Sequence, residues 1–349
     1  MIGIIHVGNA YIEPYFEKYK KVLDQTQTDY ELILWDRKNE IEQKDGVHVF
    51  KKPTSNIKRA QKILNYLRYR KFVKKVVKEK KYDKLIFLTT MSAFTIGSFI
   101  KKYKNKYILD IRDLSGEKSK LFQKKLARII ENSSFTSISS DGFREKLPDF
   151  DYVRSHNLSG NIALDRQKNT SGKINLLYLG RTRGDWFNKR LIEIFGGDDR
   201  FTLNLIGEWI DSKEVAILAK KFENVTVKGR FDSSQKEEFL QKADMLINMN
   251  IASFNGKRLT ANKYYDGLEC NLPQIARVDE YTGALVTVKG LGIALDFYDE
   301  DFANKVYEYY QNLDFDEFKQ KAKIELDRVK EQDREFMQKI EEFILGEKK

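Results

Sequence analysis

Lys263 and Asp266 stand three residues apart in the stretch Asn262-Lys263-Tyr264-Tyr265-Asp266-Gly267-Leu268-Glu269-Cys270-Asn271-Leu272-Pro273. On a helix that spacing projects a cation and a carboxylate from one face. Pro273 cannot continue the helix and restricts the residue before it, so the helix is short. The apolar run Met245-Leu246-Ile247-Asn248-Met249 before it and Gln274-Ile275-Ala276-Arg277 after it read as buried strands. A cation and an acid on one face between two such strands suit a ligand carrying both phosphate and ribose hydroxyls. The plainer reading is a surface helix with one charge of each sign.

Other cations follow glycines. Gly180-Arg181-Thr182-Arg183-Gly184-Asp185 closes a strand at Ile174–Leu179, and Lys189 lies on the helix after it. Arg181, Arg183, Lys189 and Lys263 are cations that could together stabilise negative charge on a bound phosphate. Two more strands end in Gly207-Glu208-Trp209 and Gly229-Arg230-Phe231. Flexible backbone thus collects at one sheet edge, where ligands of open α/β sheets bind. In the first half, Gly8-Asn9 follows the opening strand and Arg112-Asp113 follows another. His6 and His48 fall within strands and read as packed core residues. His156, in Arg154-Ser155-His156-Asn157, is the remaining histidine candidate. Asp149-Phe150-Asp151 and Asp314-Phe315-Asp316 read as surface acids.

Lys263, Asp266 and Pro273 resemble the nucleotide-sugar site of GT-B glycosyltransferases, in the retaining, family 4-like group that writes K-x-x-E with a proline seven residues after the Glu. Here the acid is Asp, and Asn271 stands where the group usually has Gly. A further Glu eight residues before the acid is replaced by Arg258. The resemblance implies an α/β chain of GT-B type, two Rossmann-like, doubly wound domains facing a central cleft, with the donor in the C-terminal one. It implies Gly180, Arg181, Arg183, Lys189 and Lys263 at the diphosphate, Asp266 (or Glu269) at the ribose, and Gly229, Arg230 and Phe231 at the base. Gly8 and Asn9 match the turn near acceptor and diphosphate. Arg112-Asp113 stand where many relatives have a His pair, so Asp113 is expected to orient the acceptor hydroxyl. The expected catalytic set is Asp113, Arg112, Arg181 and Lys263, without a metal or any cofactor beyond the nucleotide sugar, UDP-sugar favoured. The implied reaction is sugar transfer to a glycan or polyprenyl-linked acceptor in bacterial surface-polysaccharide synthesis. Alternatives are a nucleotide-sugar epimerase of the same fold and a non-catalytic stabilising subunit.

Strands alternating with helices argue for parallel sheets covered on both faces, and 349 residues suggest two domains. The polar gap Gln167–Gly172 is the expected linker, giving domains at 1–166 and 173–300 and charged helices at 301–349 that are expected to cross back to the first domain. Apolar residues make up 41% of the chain, with 23 Phe and 18 Tyr, enough for packed sheets. Cys270 is the single cysteine, which excludes an internal disulfide and fits a reducing compartment. The longest uncharged run, Leu85 to Ile100, is too short and too hydroxylated to span a bilayer. Met1-Ile2-Gly3-Ile4-Ile5 reads directly as a strand rather than a signal peptide, so a cytoplasmic location is expected.

Charge is unevenly placed. Residues 1–165 carry 33 Lys and Arg against 20 Asp and Glu, and 51–81 carries 13 basic residues against the single acid Glu79. Ile57, Ile63, Leu64, Tyr66, Leu67, Phe72, Val73, Val76 and Val77 interleave with these lysines. Such an element suits an anionic membrane surface on the inner face of the cell membrane. Nucleic acid is not an expected partner, since no recognised motif accompanies the basic run.

Overall fold

The computed structural model describes residues 1–13, 15–54, 57–117, 119–160, 166–170, 172–181, 184–208, 210–250 and 253–346. Arg183, one of the expected diphosphate ligands, lies outside these residues. The chain divides into two compact units, Met1–Asn157 with Glu331–Lys349, and Leu158–Lys330.

The first unit is built on seven parallel strands in the order β3-β2-β1-β4-β5-β6-β7. These are β1 (Ile2–His6), β2 (Tyr30–Asp36), β3 (Val47–Lys51), β4 (Lys84–Leu88), β5 (Tyr107–Ile111), β6 (Phe135–Ile138) and β7 (Val153–Arg154). Every residue of β1 and β5 is buried, as strands covered on both faces require. The helices between them are α1 (Phe16–Gln25), α2 (Arg59–Lys80), α3 (Thr90–Ala93) and α4 (Lys120–Glu131). Phe16, Tyr19 and Leu23 of α1 pack with Ile4, Leu34 and Ile86, and with Phe336, Ile340 and Phe343 from the end of the chain.

The second unit repeats the plan with six parallel strands in the order β10-β9-β8-β11-β12-β13. They are β8 (Ile174–Leu179), β9 (Phe201–Ile206), β10 (Val225–Lys228), β11 (Met245–Ile247), β12 (Gln274–Arg277) and β13 (Gly292–Leu295). Its helices are α5 (Asp185–Phe195), α6 (Lys213–Ala219), α7 (Lys236–Lys242), α8 (Asn262–Glu269), α9 (Tyr281–Lys289) and α10 (Phe302–Asn312). The last helix, α11 (Phe315–Leu345), begins in the second unit, where Phe318, Ala322 and Val329 cover Tyr264 and Leu268 of α8, and ends in the first. Phe336 and Ile340 are fully buried there, and burying such a side chain contributes about 1.5–3 kcal/mol.

In each unit the strand order reverses beside the first strand, between β1 and β4 and between β8 and β11. At such a switch point the connections leave in opposite directions and open a crevice at the carboxyl ends of the strands.

Candidate functional site

Lys263 lies beside Gly180, at the end of β8 and so at the switch point of the second unit. Helix α8 ends as its sequence requires: Asn271 takes the left-handed conformation (φ +50) and Leu272 N–H returns to the Gly267 carbonyl at 2.9 Å. Asn271 therefore does the work of the usual C-terminal glycine. Gly267 lets α8 lie against Gln274, whose side chain a β-carbon there would overlap.

So held, Lys263 is buried, with its ammonium 4.7 Å from the ring centroid of Tyr178 in β8. Among the described residues no carboxylate lies within ion-pair distance of it, and burial pushes its pKa down to about 8, against the pull of Glu280 and Asp266. Beside it, at the end of β8, Gly180 has φ +149, a conformation that L side chains rarely adopt.

Asp266 is also buried, but its carboxylate is occupied. Oδ1 accepts from Lys236 Nζ at 2.6 Å and from Ser159 Oγ at 2.9 Å. Lys236, the first residue of α7, is a cation that the motif did not lead to. The sequence signal was available, since Asp232-Ser233-Ser234-Gln235 marks the start of the helix that carries it. Glu269 is a tether: its two oxygens take the backbone N–H groups of Ser159 and Gly160 at 3.2 and 3.0 Å. Burial raises its pKa. Both oxygens of this alternative ribose ligand are thus engaged by backbone in the structure.

The other expected donor residues are more exposed. Arg181 forms an ion pair with Glu208, its Nε 2.7 Å from Oε2, and Lys189 pairs with Glu214 of α6. Gly229 passes so close to the Asp211 carboxylate that a side chain would collide with it. Arg230 is exposed, and Phe231 packs edge-on against Phe239 at 5.4 Å. Arg258 is turned onto its own loop, donating to the Phe254 carbonyl at 2.9 Å with its guanidinium over that ring.

The first unit has a cavity of about 390 Å³ at its own switch point, lined by His6, Gly8, Asn9, Glu13, Thr89 and Asp113 among others. Asn9 caps the short turn after β1 through the N–H of Tyr11 at 3.1 Å. Thr89, after β4, has φ +116, strained for a β-branched residue. His6 is more than core filling. Its Nδ1 meets the Leu88 carbonyl at 2.8 Å, so that nitrogen carries the proton, and Nε2 faces Glu13 at 3.7 Å.

Asp113 has solvent-accessible surface yet sits in the concave wall of this cavity. Crowding by protein and the charge of Glu13 push it up to about 6. Arg112, expected beside it in catalysis, lines the same cavity but is buried, with its guanidinium held by neighbours. It forks onto buried Asp110 at 2.8 and 2.9 Å, donates to Ser155 and Asn157, and stacks over Tyr15. His156 is buried against α11, with Nε2 2.8 Å from Gln332 Oε1, and burial lowers its pKa to about 4. Among the described residues there is no cluster of side chains suited to a metal ion.

No protein-family profile and no curated protein sequence matches the chain. Solved structures do. A sucrose-phosphate synthase of Thermosynechococcus elongatus aligns with TM-score 0.69 over 96% of each chain at 14% identity. The lipopolysaccharide outer core galactosyltransferase WaaB gives 0.68 over 99% of each at 14%. A glycosyltransferase of Rickettsia africae gives 0.64 at 12%, over 99% of this chain and 98% of that one. Likeness at that identity speaks to architecture, and the two parallel sheets of seven and six strands with their covering helices have the GT-B fold.

Proposed function

We propose that this protein is a glycosyltransferase that moves a sugar from a nucleotide diphosphate sugar to a glycan or lipid-linked glycan acceptor. The observation that carries the reading is the buried ammonium of Lys263, without a carboxylate of the described residues within ion-pair reach, beside a glycine at the switch point of a Rossmann-like sheet. A buried cation is costly unless an anion meets it, and a diphosphate is an anion of the right kind for a strand's glycine end. Asp266, fixed by Lys236 and Ser159, is then the acceptor for ribose hydroxyls. The cavity of the first unit, with Asp113 and the Gly8-Asn9 turn, takes the acceptor. Three similar structures bear the names of sugar-transferring or sugar-phosphate-forming enzymes, which supports the reading.

In this reading the transfer retains configuration, needs no metal because lysine and arginine replace it, and prefers UDP. The acceptor is held at the inner face of the membrane by α2. Support for that attachment comes from the exposed start of α2. Tyr69, Val73, Val76 and Val77 of α2 face the core, whereas Ile63, Leu64 and Leu67 are exposed beside Lys62, Arg68 and Lys71. No helix among the described residues is long and apolar enough to cross a membrane.

The test is a thermal-shift and calorimetric panel of UDP, GDP, ADP and their hexose conjugates, with and without a chelator. A ligand at about one hundred times its dissociation constant raises stability by roughly 2.7 kcal/mol. Absence of any response across the panel would overturn the reading. Release of free nucleotide only when acceptor is added separates transfer from epimerisation.

A further inference from the structure

Glu280 has no role in the reading above, yet it is a buried carboxylate at the same edge. It stands at the N-cap of α9, three residues past the end of β12, and is 3% exposed. Its Oε1 accepts the N–H of Asn250 at 3.0 Å and its Oε2 the Asn250 amide Nδ2 at 3.2 Å. The nearest guanidinium, Arg277, approaches no closer than 3.7 Å through Nε, short of a hydrogen bond. Arg277 itself spends Nε and Nη2 on Asp279, at 2.9 and 3.0 Å. Its Nη1 is buried without a hydrogen-bond partner among the described residues. Lys263 and Tyr178 lie near enough to Glu280 to feel its charge. Two carboxylates, Glu280 and Asp279, two cations and a phenol thus collect where β8, β11 and β12 end.

A buried carboxylate with incomplete pairing beside a guanidinium with an unused N–H forms an acceptor and a donor side by side. A sugar hydroxyl uses both, donating to the carboxylate and accepting from the guanidinium. The transferred sugar is bonded directly to the outer phosphate of its nucleotide. If Lys263 holds that phosphate, the sugar's hydroxyls fall within the next few ångströms, the neighbourhood of Glu280. Arg258, the position where the sequence motif would place an acid, is folded onto Phe254 and offers none.

We propose that Glu280, with Arg277, binds the hydroxyls of the transferred sugar and so distinguishes a nucleotide sugar from the bare nucleotide. The proposal rests on the nucleotide-sugar reading of Lys263. It is tested with Glu280→Gln, which keeps the shape and an acceptor for the Asn250 N–H but loses the charge. UDP, GDP, ADP and their hexose conjugates are titrated against parent and variant, with thermal melts to verify folding. The expected result is unchanged or tighter binding of the nucleoside diphosphate, because a negative charge near the phosphates is gone. Binding of the hexose conjugate should weaken by tenfold or more, the scale of a lost charge-assisted hydrogen bond. Arg277→Lys, which keeps the charge and removes the spare N–H, should move the ratio of the two affinities the same way. Should Glu280→Gln not fold, Glu280→Asp, one methylene shorter, reads out that ratio. Equal changes for both ligand types, or none, would overturn the proposal and leave Glu280 as a charge partner of Lys263. A parent protein that binds no member of the panel would instead bring down the reading of Lys263 itself.

Discussion

The ammonium of Lys263 lies 3.8 Å from the point that a β-carbon on Gly180 would occupy. One residue comes from a helix and the other from a strand end more than eighty positions earlier, so the pair exists only because β11 is laid beside β8. Gly180→Ala should therefore act twice. The backbone there has φ +149, and forcing a side chain into such a region costs about 1–3 kcal/mol. The new methyl would also crowd the ammonium where a phosphate is proposed to approach. We expect a lower melting temperature and nucleotide affinity reduced more than by Arg181→Ala, which removes an exposed partner of Glu208. Parent-like UDP binding by the glycine variant would place the phosphates elsewhere.

Lys263 should also write its signature in pH. Burial holds it at about 8 in the folded chain, below the 10.5 of an ordinary lysine. Only the charged form attracts a diphosphate, so affinity should decline as pH rises through 8. Stability moves the other way. Between about 8 and 10.5 the unfolded chain keeps a proton that the folded chain has shed, so this group favours folding more as pH rises. Glu280 is held near 7 by burial, so the titration is read from pH 7.5 upward. Lys263→Met should flatten the affinity decline, weaken binding about tenfold or more at pH 7.5, and remove its share of the stability rise. Retention of both slopes in that variant would show that another group sets them.

Much of this was legible in the chain. Apolar runs such as residues 2–5 and 85–88 announce a sheet covered on both faces, and glycines after β8, β9 and β10 mark the edge where the nucleotide is proposed to bind. The short β7, the strand β13 and the helix α9 between β12 and β13 carried weaker patterns. Side-chain assignments were harder, because spacing along a helix says which face a residue shares but not what waits opposite. Asp266 and Glu269 look alike in sequence; one meets Lys236 and the other two backbone amides. Arg112-Asp113 is expected in catalysis because it stands where the resembled group has a His pair. Only the fold shows that Asp110, two residues before Arg112 and buried in β5, claims its guanidinium. Glu280 belongs to no motif, and only its burial near Lys263 singles it out for the role proposed above.

The contrast between Arg112 and Asp113 gives a paired test. Arg112→Met would leave buried Asp110 with only Tyr19 and Ser137 as side-chain donors among the described residues, at 2.9 Å each. Removing one partner of a buried pair costs about 3–5 kcal/mol, so chemical denaturation should show a large loss of stability. Asp113→Asn, with a carboxylate at the cavity wall, should leave the denaturation midpoint nearly unchanged and reduce transfer to the acceptor while nucleotide binding persists. A stable Arg112→Met protein with impaired transfer would return the arginine to the reaction.

Asp266→Asn should cost more stability than a free ligand-binding carboxylate would. It keeps the shape but loses the charge that holds Lys236 at 2.6 Å. Because the lysine is partly exposed, we expect about 1–2 kcal/mol rather than the full cost of breaking a buried pair. The functional effect should be separable: binding of UDP should fall more than binding of 2′-deoxy-UDP, since only the former has the hydroxyl that the carboxylate is proposed to accept from. Equal losses for the two nucleotides would leave Asp266 as a partner of Lys236 and nothing more.

The exposed start of α2 yields the last prediction. Ile63, Leu64 and Leu67 are 55%, 42% and 49% exposed, and Lys58, Arg59, Lys62, Arg68 and Lys71 surround them on the same turns. Apolar side chains ringed by cations are suited to the boundary between headgroups and acyl chains of an anionic leaflet. Each cation near such a surface contributes about 1 kcal/mol, and added salt screens it. Vesicles containing phosphatidylglycerol should therefore co-sediment with the protein at low salt and release it as salt rises, while neutral phosphatidylcholine vesicles bind weakly. Replacing Ile63, Leu64 and Leu67 with serine touches no core residue of α2, because the helix packs through Tyr69, Val73, Val76 and Val77. That variant should keep the parent's melting temperature and lose vesicle binding at moderate salt, where insertion of the three side chains has to hold what screened charge cannot. Charge reversal at Lys62, Arg68 and Lys71 should abolish binding even at low salt. If the serine variant binds as tightly as the parent, the attachment is electrostatic alone. If neither variant changes it, the membrane contact lies on another face.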